Sequence, residues 1–310
     1  MTSTPPPTPP PTPSLTSPTS LAALAEAGLD TGDVLRVVTV ALAEDLRYGP
    51  DATTGATVPP DAIAVAEFTP RTAGVLAGGP VALAVLDAVI ETGCEVLSRV
   101  PDGSQLTAGT AALVVRGPVR GLLTAERTAL NLLCHLSGVA TATARWVRAV
   151  AGTGARIRDT RKTSPGMRLL EKYAVRRGGG INHRLGLGDA ALIKDNHVVA
   201  AGSVTAALAS VRAVAPDLPC EVEVDSLDQL DEAVAAGAEL VLLDNFSVED
   251  CAEAVRRTRS SGTRLEASGG LTIDTARDYA ATGVDYLAVG ALTHSAPSLD
   301  IGMDLRPSSA

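Results

Sequence analysis

From Ala155 onward the chain repeats one device: a short apolar run, a polar or glycine-rich break, then a segment with helical periodicity. The runs are ARIRD (155–159), AALIK (190–194), CEVEV (220–224), LVLLD (240–244), RLEAS (264–268) and YLAVG (286–290). The last four recur at spacings of about 20–24 residues, the size of a compact strand–helix unit. Strands separated by helices imply right-handed crossovers and a parallel sheet. Six such strands either close into a barrel or stay open and doubly wound. The barrel is favoured, because no G-x-G-x-x-G follows the first strand and polar residues end every strand instead of gathering at one switch point.

The chain upstream is organised differently. LAALAEAGL from Leu21 and VLRVVTVALAEDL from Val34 have helical periodicity, and the second stops at the turn-rich YGPDATTG. Between Ala64 and Val115 the runs AVAEF, GVLAGG, EVLSRV and ALVVRG read as strands, with one helix at VALAVLDAVIETG. A long helical stretch from Gly121 to about Val150 follows this α+β unit. The first residues, MTSTPPPTPPPTPSLTSPTS, lack the basic and apolar regions of a secretory signal and suit a solvated, polyproline-like tail.

Composition narrows the function classes. Aromatics are only 2% of residues, which disfavours a stacking surface for single-stranded nucleic acid. The net charge of −9 gives no global field for nucleic acid or an anionic membrane, so any anion site is a local cluster of cations. No apolar stretch reaches the roughly 20 residues needed to span a bilayer. Cys94, Cys134, Cys220 and Cys251 form no C-x-x-C pair and read as reduced thiols of a cytoplasmic protein.

The strand ends carry the chemistry. Thr160, Arg161 and Lys162 follow the first run, His183 and Arg184 lie in a broken glycine-rich loop, and Lys194 ends the second run. Glu223 lies in the third run, Asp244 ends the fourth, Ser268, Gly269 and Gly270 follow the fifth, and Gly290 and Ala291 follow the sixth. A barrel brings all these ends to one mouth. Four cations gathered there are costly unless an anion neutralises them. Bare backbone N–H groups at the glycine ends suit a phosphate. Glu223 and Asp244 suit ribose hydroxyls or a Mg²⁺ ion bridging a diphosphate, or alternatively salt bridges to Lys194 or Lys162. His183 suits a structural hydrogen bond as well as a catalytic role, and His135, His197 and His294 read as structural.

The ordered set LLTAERTALNLLCHLSG, RDTRKTSPGMR, GGGINHRLGLGDAALIKDNH, CEVEVDS, LVLLDNF, LEASGG and YLAVGALTHS closely resembles the quinolinate phosphoribosyltransferase family, from about Glu44 to Asp304. The resemblance implies an α/β fold in which an N-terminal α/β sandwich domain precedes an incomplete, TIM-like β/α barrel. The Pro/Thr/Ser-rich residues 1–22, read from their composition as a disordered tail, lie outside the resemblance; it implies a sandwich domain at 23–133 that also takes up residues 294–305, and a barrel catalytic domain at 134–293. The implied reaction moves phosphoribose from phosphoribosyl pyrophosphate to quinolinate with decarboxylation, giving nicotinate mononucleotide for NAD synthesis. The family needs Mg²⁺ and assembles as a homodimer in which Arg127, in TAERT, reaches the partner's site.

Carried over by position, quinolinate would meet Arg127, Thr160, Arg161, Lys162, His183, Arg184 and Lys194. Phosphoribosyl pyrophosphate would meet Glu223, Asp244, Ser268, Gly269, Gly270, Val289, Gly290 and Ala291. Lys162, Lys194, Glu223 and Asp244 are the expected catalytic set, with Glu223 and Asp244 holding Mg²⁺ directly or through water. Other enzyme and non-enzyme readings stay open here: a transferase acting on a related acid, a phosphate-binding isomerase or aldolase, and a ligand-sensing barrel. An isomerase needs an acid and a base but not this crowd of cations.

Overall fold

The computed structural model describes residue 15 and residues 17–307. In chain order the elements are helices α1 (Pro18–Ala27), α2 (Thr31–Asp45) and α3 (Ala52–Thr57), then strands β1 (Ile63–Pro70) and β2 (Gly74–Val75), and helix α4 (Gly79–Val89). Strands β3 (Glu95–Arg99), β4 (Gln105–Leu106) and β5 (Leu113–Pro118) lead into the long helix α5 (Val119–Ala149). Then come β6 (Arg156–Arg158), α6 (Arg168–Arg177), β7 (Ala191–Ile193), α7 (Asp195–Ala201), α8 (Val204–Val214), β8 (Cys220–Val224) and α9 (Leu227–Ala235). The chain ends with β9 (Leu240–Asp244), α10 (Val248–Thr258), β10 (Arg264–Ser268), α11 (Ala276–Ala281), β11 (Tyr286–Ala288), α12 (Ala291–His294) and β12 (Ile301–Pro307).

The chain divides into two compact units. The first holds the described residues up to Thr141, the segment Pro165–Gly178 and the chain from Ala296; the second holds Ala142–Ser164 and Gly179–Ser295. These bounds depart from the expected 23–133 and 134–293, because α6 joins the first unit and α5 crosses the division, while the C-terminal strand lies in the first unit. The tail expectation is corrected at its end: α1 starts at Pro18, capped by the Ser17 hydroxyl, which accepts the Ser20 N–H. Residues 1–14 and 16 lie outside the described part. The turn-rich YGPDATTG stretch is also corrected in part, since Asp51 caps the short helix α3 by accepting the Thr54 N–H.

In the first unit, β12, β1, β5 and β3 form an antiparallel sheet in that order. β1 alternates buried and half-buried residues, as a strand with one packed face must. Ala82, Val85 and Leu86 of α4 and Phe68 of β1 belong to its core.

The second unit settles barrel against open sheet. Its six parallel strands lie in the order β6-β11-β10-β9-β8-β7. Read round a circle this is simple sequence order, with β6 beside β11 as the closing contact and the gap between β6 and β7. A doubly wound sheet would reverse direction at a switch point. The architecture is therefore an incomplete β/α barrel. Serines 203, 226 and 247 cap α8, α9 and α10 by accepting N–H groups of the first turn, each cap being worth about 1 kcal/mol. Among the described residues no single helix is long and apolar enough to cross a membrane.

Candidate active site

Parallel strands alternate their side chains between the two faces, so residues two apart share the inner face. Leu192 and Lys194, Glu221 and Glu223, Leu242 and Asp244, and Glu266 and Ser268 are four such pairs. A cavity of about 650 Å³ opens at the carboxyl ends of these strands. Thr160, Arg161, Lys162, His183, Arg184, Lys194, Glu223, Asp244, Ser268, Gly269 and Gly270 all line it. Leu192 and Leu242 supply aliphatic wall.

The loop after β6 is fixed from two sides. The Lys162 N–H donates to Thr160 Oγ1 at 3.0 Å, and the Lys162 carbonyl accepts from Thr293 Oγ1 at 2.7 Å. Asp189 fastens the next loop by accepting the Leu185 and Gly186 N–H groups at 2.6 and 2.7 Å. Slight desolvation pushes the carboxyl of the exposed Asp189 up, but those amides outweigh it and hold the group below the usual range.

The cations are not all neutralised within the protein. Lys194 pairs with Glu223 across β7 and β8, so the salt-bridge alternative for Glu223 is realised. Asp244 instead accepts from the Asn245 side chain at 2.9 Å. The Nε atoms of Arg161 and Arg184 are buried with no hydrogen-bond partner among the described residues, while Arg184 Nη1 donates to the Ala190 carbonyl at 3.1 Å. Burial, and then the nearby Arg161 charge, pull Arg184 below the ordinary arginine value, with Asp189 and Glu221 opposing. A buried donor left unmade costs about 1–3 kcal/mol. The outer guanidinium nitrogens and the two lysines are what an anion in the cavity would meet, the arrangement a carboxylate or phosphate pocket needs.

Four expected residues lie outside this cavity's lining. Arg127, on α5 in the first unit, lines a different cavity of about 250 Å³ with Arg36, Asn131 and Pro165–Met167. The Val289 side chain is buried and its N–H donates to the Arg158 carbonyl at 2.9 Å, so it has no donor left for a phosphate and the expectation for Val289 is corrected. Gly290 lies against Lys162, whose Cδ is 3.1 Å from where a Cβ would be, and Ala291 opens the short α12. The three remaining histidines make local bonds: His135 to Glu171 at 2.9 Å, His197 to the Lys194 N–H at 2.9 Å and His294 to the Ser295 hydroxyl at 2.6 Å.

The sequence reading passed over the acids beneath the pocket. Glu221 and Glu266 are buried; Glu221 lies 2.8 Å from His183 Nε2, and Glu266 pairs with Arg158. The alternation that put Glu223 on the inner face also puts Glu221 there, and Ser268 implies Glu266 in the same way.

The family model for the C-terminal domain of quinolinate phosphoribosyl transferase matches residues 139–304, and that for the N-terminal domain matches residues 51–137. The chain belongs to the quinolinate phosphoribosyltransferase family. It is 62% identical over 268 residues to the nicotinate-nucleotide pyrophosphorylase [carboxylating] of Mycobacterium leprae, covering 86% of this chain and 94% of that one. It is 42% identical over 241 residues to the protein of that name from Homo sapiens, covering 76% and 80%. Among solved structures, NadC from Streptococcus pyogenes superposes with a TM-score of 0.86 at 41% identity, covering 91% of this chain and 99% of that one. The nicotinate-nucleotide pyrophosphorylase from Francisella tularensis also gives 0.86, at 38% identity with 90% and 98% covered. The family's two-domain division falls within α5, the helix that crosses from one compact unit to the other.

Proposed function

We infer that the chain is a carboxylating phosphoribosyltransferase of NAD biosynthesis: it transfers phosphoribose from phosphoribosyl pyrophosphate to quinolinate, releasing pyrophosphate and CO₂ and giving nicotinate mononucleotide. The observation that carries this reading is one cavity lined by the guanidinium forks of Arg161 and Arg184 together with Lys162 and Lys194, of which only Lys194 has an ion-pair partner among the described residues. A planar dicarboxylate answers both forks at once.

The electron flow is balanced without a protein acid. The ring nitrogen attacks the anomeric carbon as its bond to pyrophosphate breaks, and the pyrophosphate leaves with the electron pair. The nitrogen is then cationic. Loss of CO₂ leaves an electron pair on the adjacent ring carbon, which that cation stabilises until the carbon takes a proton from water. The protein's part is to hold two polyanions together against their repulsion, so positioning and preorganised charge supply the rate. Arg161, Lys162, Arg184 and Lys194 bind the ring carboxylates in this scheme. Ser268, Gly269 and Gly270, with the backbone N–H groups of Gly290 and Ala291, receive the phosphates.

Glu223 and Asp244 fit a hard cation, because both carboxylates line the mouth from neighbouring strands and oxygen donors are what Mg²⁺ selects. Mg²⁺ would supply charge neutralisation to the departing pyrophosphate. A homodimer in which Arg127 serves the partner's pocket belongs to the same reading, supported by the placement of Arg127 on a cavity wall of the first unit. A cytoplasmic location is supported by four free thiols.

The test is direct: purified protein, phosphoribosyl pyrophosphate and Mg²⁺ with quinolinate or nicotinate. The expected outcome is CO₂ and mononucleotide in equal amounts from quinolinate alone. Mononucleotide formed from nicotinate without CO₂ would overturn the substrate assignment.

A further inference from the structure

We infer that His183 is a positioning residue that holds the Arg184 main chain, with both ring nitrogens committed to the protein and no N–H group left for substrate. The Arg184 N–H donates to His183 Nδ1 at 2.7 Å. A backbone amide can only donate, so Nδ1 is the unprotonated nitrogen and the proton sits on Nε2. That proton points to Glu221 Oε2 at 2.8 Å, with Glu266 Oε1 further off at 3.7 Å.

The peptide segment on either side is pinned as well. Asp159 is fully buried; its Oδ1 accepts the His183 N–H at 2.7 Å and its Oδ2 accepts the Asn182 side chain at 2.6 Å. Arg158 holds Glu266 in turn and stacks 4.8 Å above the Tyr286 ring. Residues 182–184 are thus clamped at the start of the side chain that carries the Arg184 guanidinium to the pocket. Among the described residues the Arg184 guanidinium makes one hydrogen bond, to the Ala190 carbonyl, and is otherwise aimed from its own backbone.

The same atoms of His183, Glu221 and Glu266 lie within 4.8 Å of one another, a grouping that could suit a metal ion. The imidazole excludes it. A metal on Nε2 needs that lone pair, which drives the proton to Nδ1, where it would face the Arg184 N–H.

Two isosteres separate the possible roles. In His183→Asn the amide oxygen takes the place of Nδ1 and can still accept the Arg184 N–H. In His183→Gln the amide nitrogen takes the place of Nε2 and can only replace the donor. The expected result is that H183N keeps the KM for quinolinate within about threefold of wild type, while H183Q raises it about tenfold. The KM for phosphoribosyl pyrophosphate stays unchanged in both. The reverse order, or equal effects of the two variants, overturns the assignment. This kinetic arm rests on the proposed reaction; a second arm does not. Nitrogen NMR of the full chain carrying ¹⁵N-histidine should show His183, assigned by its loss in H183N, as a neutral ring protonated on Nε2. A ring protonated on Nδ1 or on both nitrogens overturns the inference whatever the enzyme's activity.

Discussion

Gly269 sits directly under the side chain of Asn245: a methyl group built there would lie 2.2 Å from Asn245 Oδ1 and 3.0 Å from its backbone nitrogen. Both residues have left-handed backbones, with φ of 90° at Gly269 and 58° at Asn245, and the Asn245 N–H donates to the Ser268 carbonyl at 2.8 Å. The ends of β9 and β10 approach this closely because residue 269 has no side chain.

Gly269→Ala should therefore disturb the phosphate end of the pocket. Backbone strain and the collision with Asn245 are expected to cost about 1–3 kcal/mol of stability, read as a lower Tm. The KM for phosphoribosyl pyrophosphate should rise while that for quinolinate changes little. An alanine variant with wild-type Tm and KM values would remove Gly269 from the site.

Among the described residues no acid forms an ion pair with Arg161. Arg161→Ala is expected to weaken quinolinate binding by about 1.5–3 kcal/mol, roughly 10- to 150-fold in Kd by calorimetry. Arg161→Lys should restore only part of this, because a point charge replaces a planar fork. Unchanged binding in Arg161→Ala would refute the carboxylate assignment.

The homodimer reading makes a complementation test available. Arg127→Ala and Lys162→Ala should each be nearly inactive alone. After the two are mixed and allowed to exchange subunits, activity should return, because hybrid dimers contain one intact pocket. No recovery despite proven exchange would place Arg127 in its own subunit's chemistry or outside the chemistry altogether.

Burial, followed by the charge of Glu221, pushes the Glu266 carboxyl up to about 8, with Arg158 pulling the other way. Between the ordinary carboxylate value and that figure, the folded chain holds a proton that the unfolded chain has released. This contribution to stability is complete below the ordinary value and is lost as pH rises toward 8. Glu266→Gln removes the titration. Its Tm should fall less steeply than that of wild type between pH 5 and pH 8, and parallel curves would contradict the assignment.

Much of the barrel was legible because its strands are short, apolar and evenly spaced: β8, β9 and β10 occupy the residues that their runs marked. The cation cluster followed from the same reading, since Arg161, Lys162, Arg184 and Lys194 all stand at strand ends or in the loops between them and share one cavity. α3 was missed because its Gly and Thr residues look like a turn until Asp51 is seen capping it. Glu221 and Glu266 were missed because buried acids are legible only through partners distant in sequence, here His183 and Arg158. Arg127 could be singled out only by resemblance, since nothing about its helix marks it apart from its neighbours.

The aliphatic wall of the pocket has a consequence of its own. The side chains of Leu192 and Leu242 offer neither ring faces nor polar atoms, so this part of the wall favours no one in-plane orientation of a heteroaromatic molecule. Its rotation is arrested only at the rim, by the ionic teeth that engage its substituents. Stripped of those substituents, the same ring would spin through many orientations and rarely present its nitrogen lone pair to the sugar.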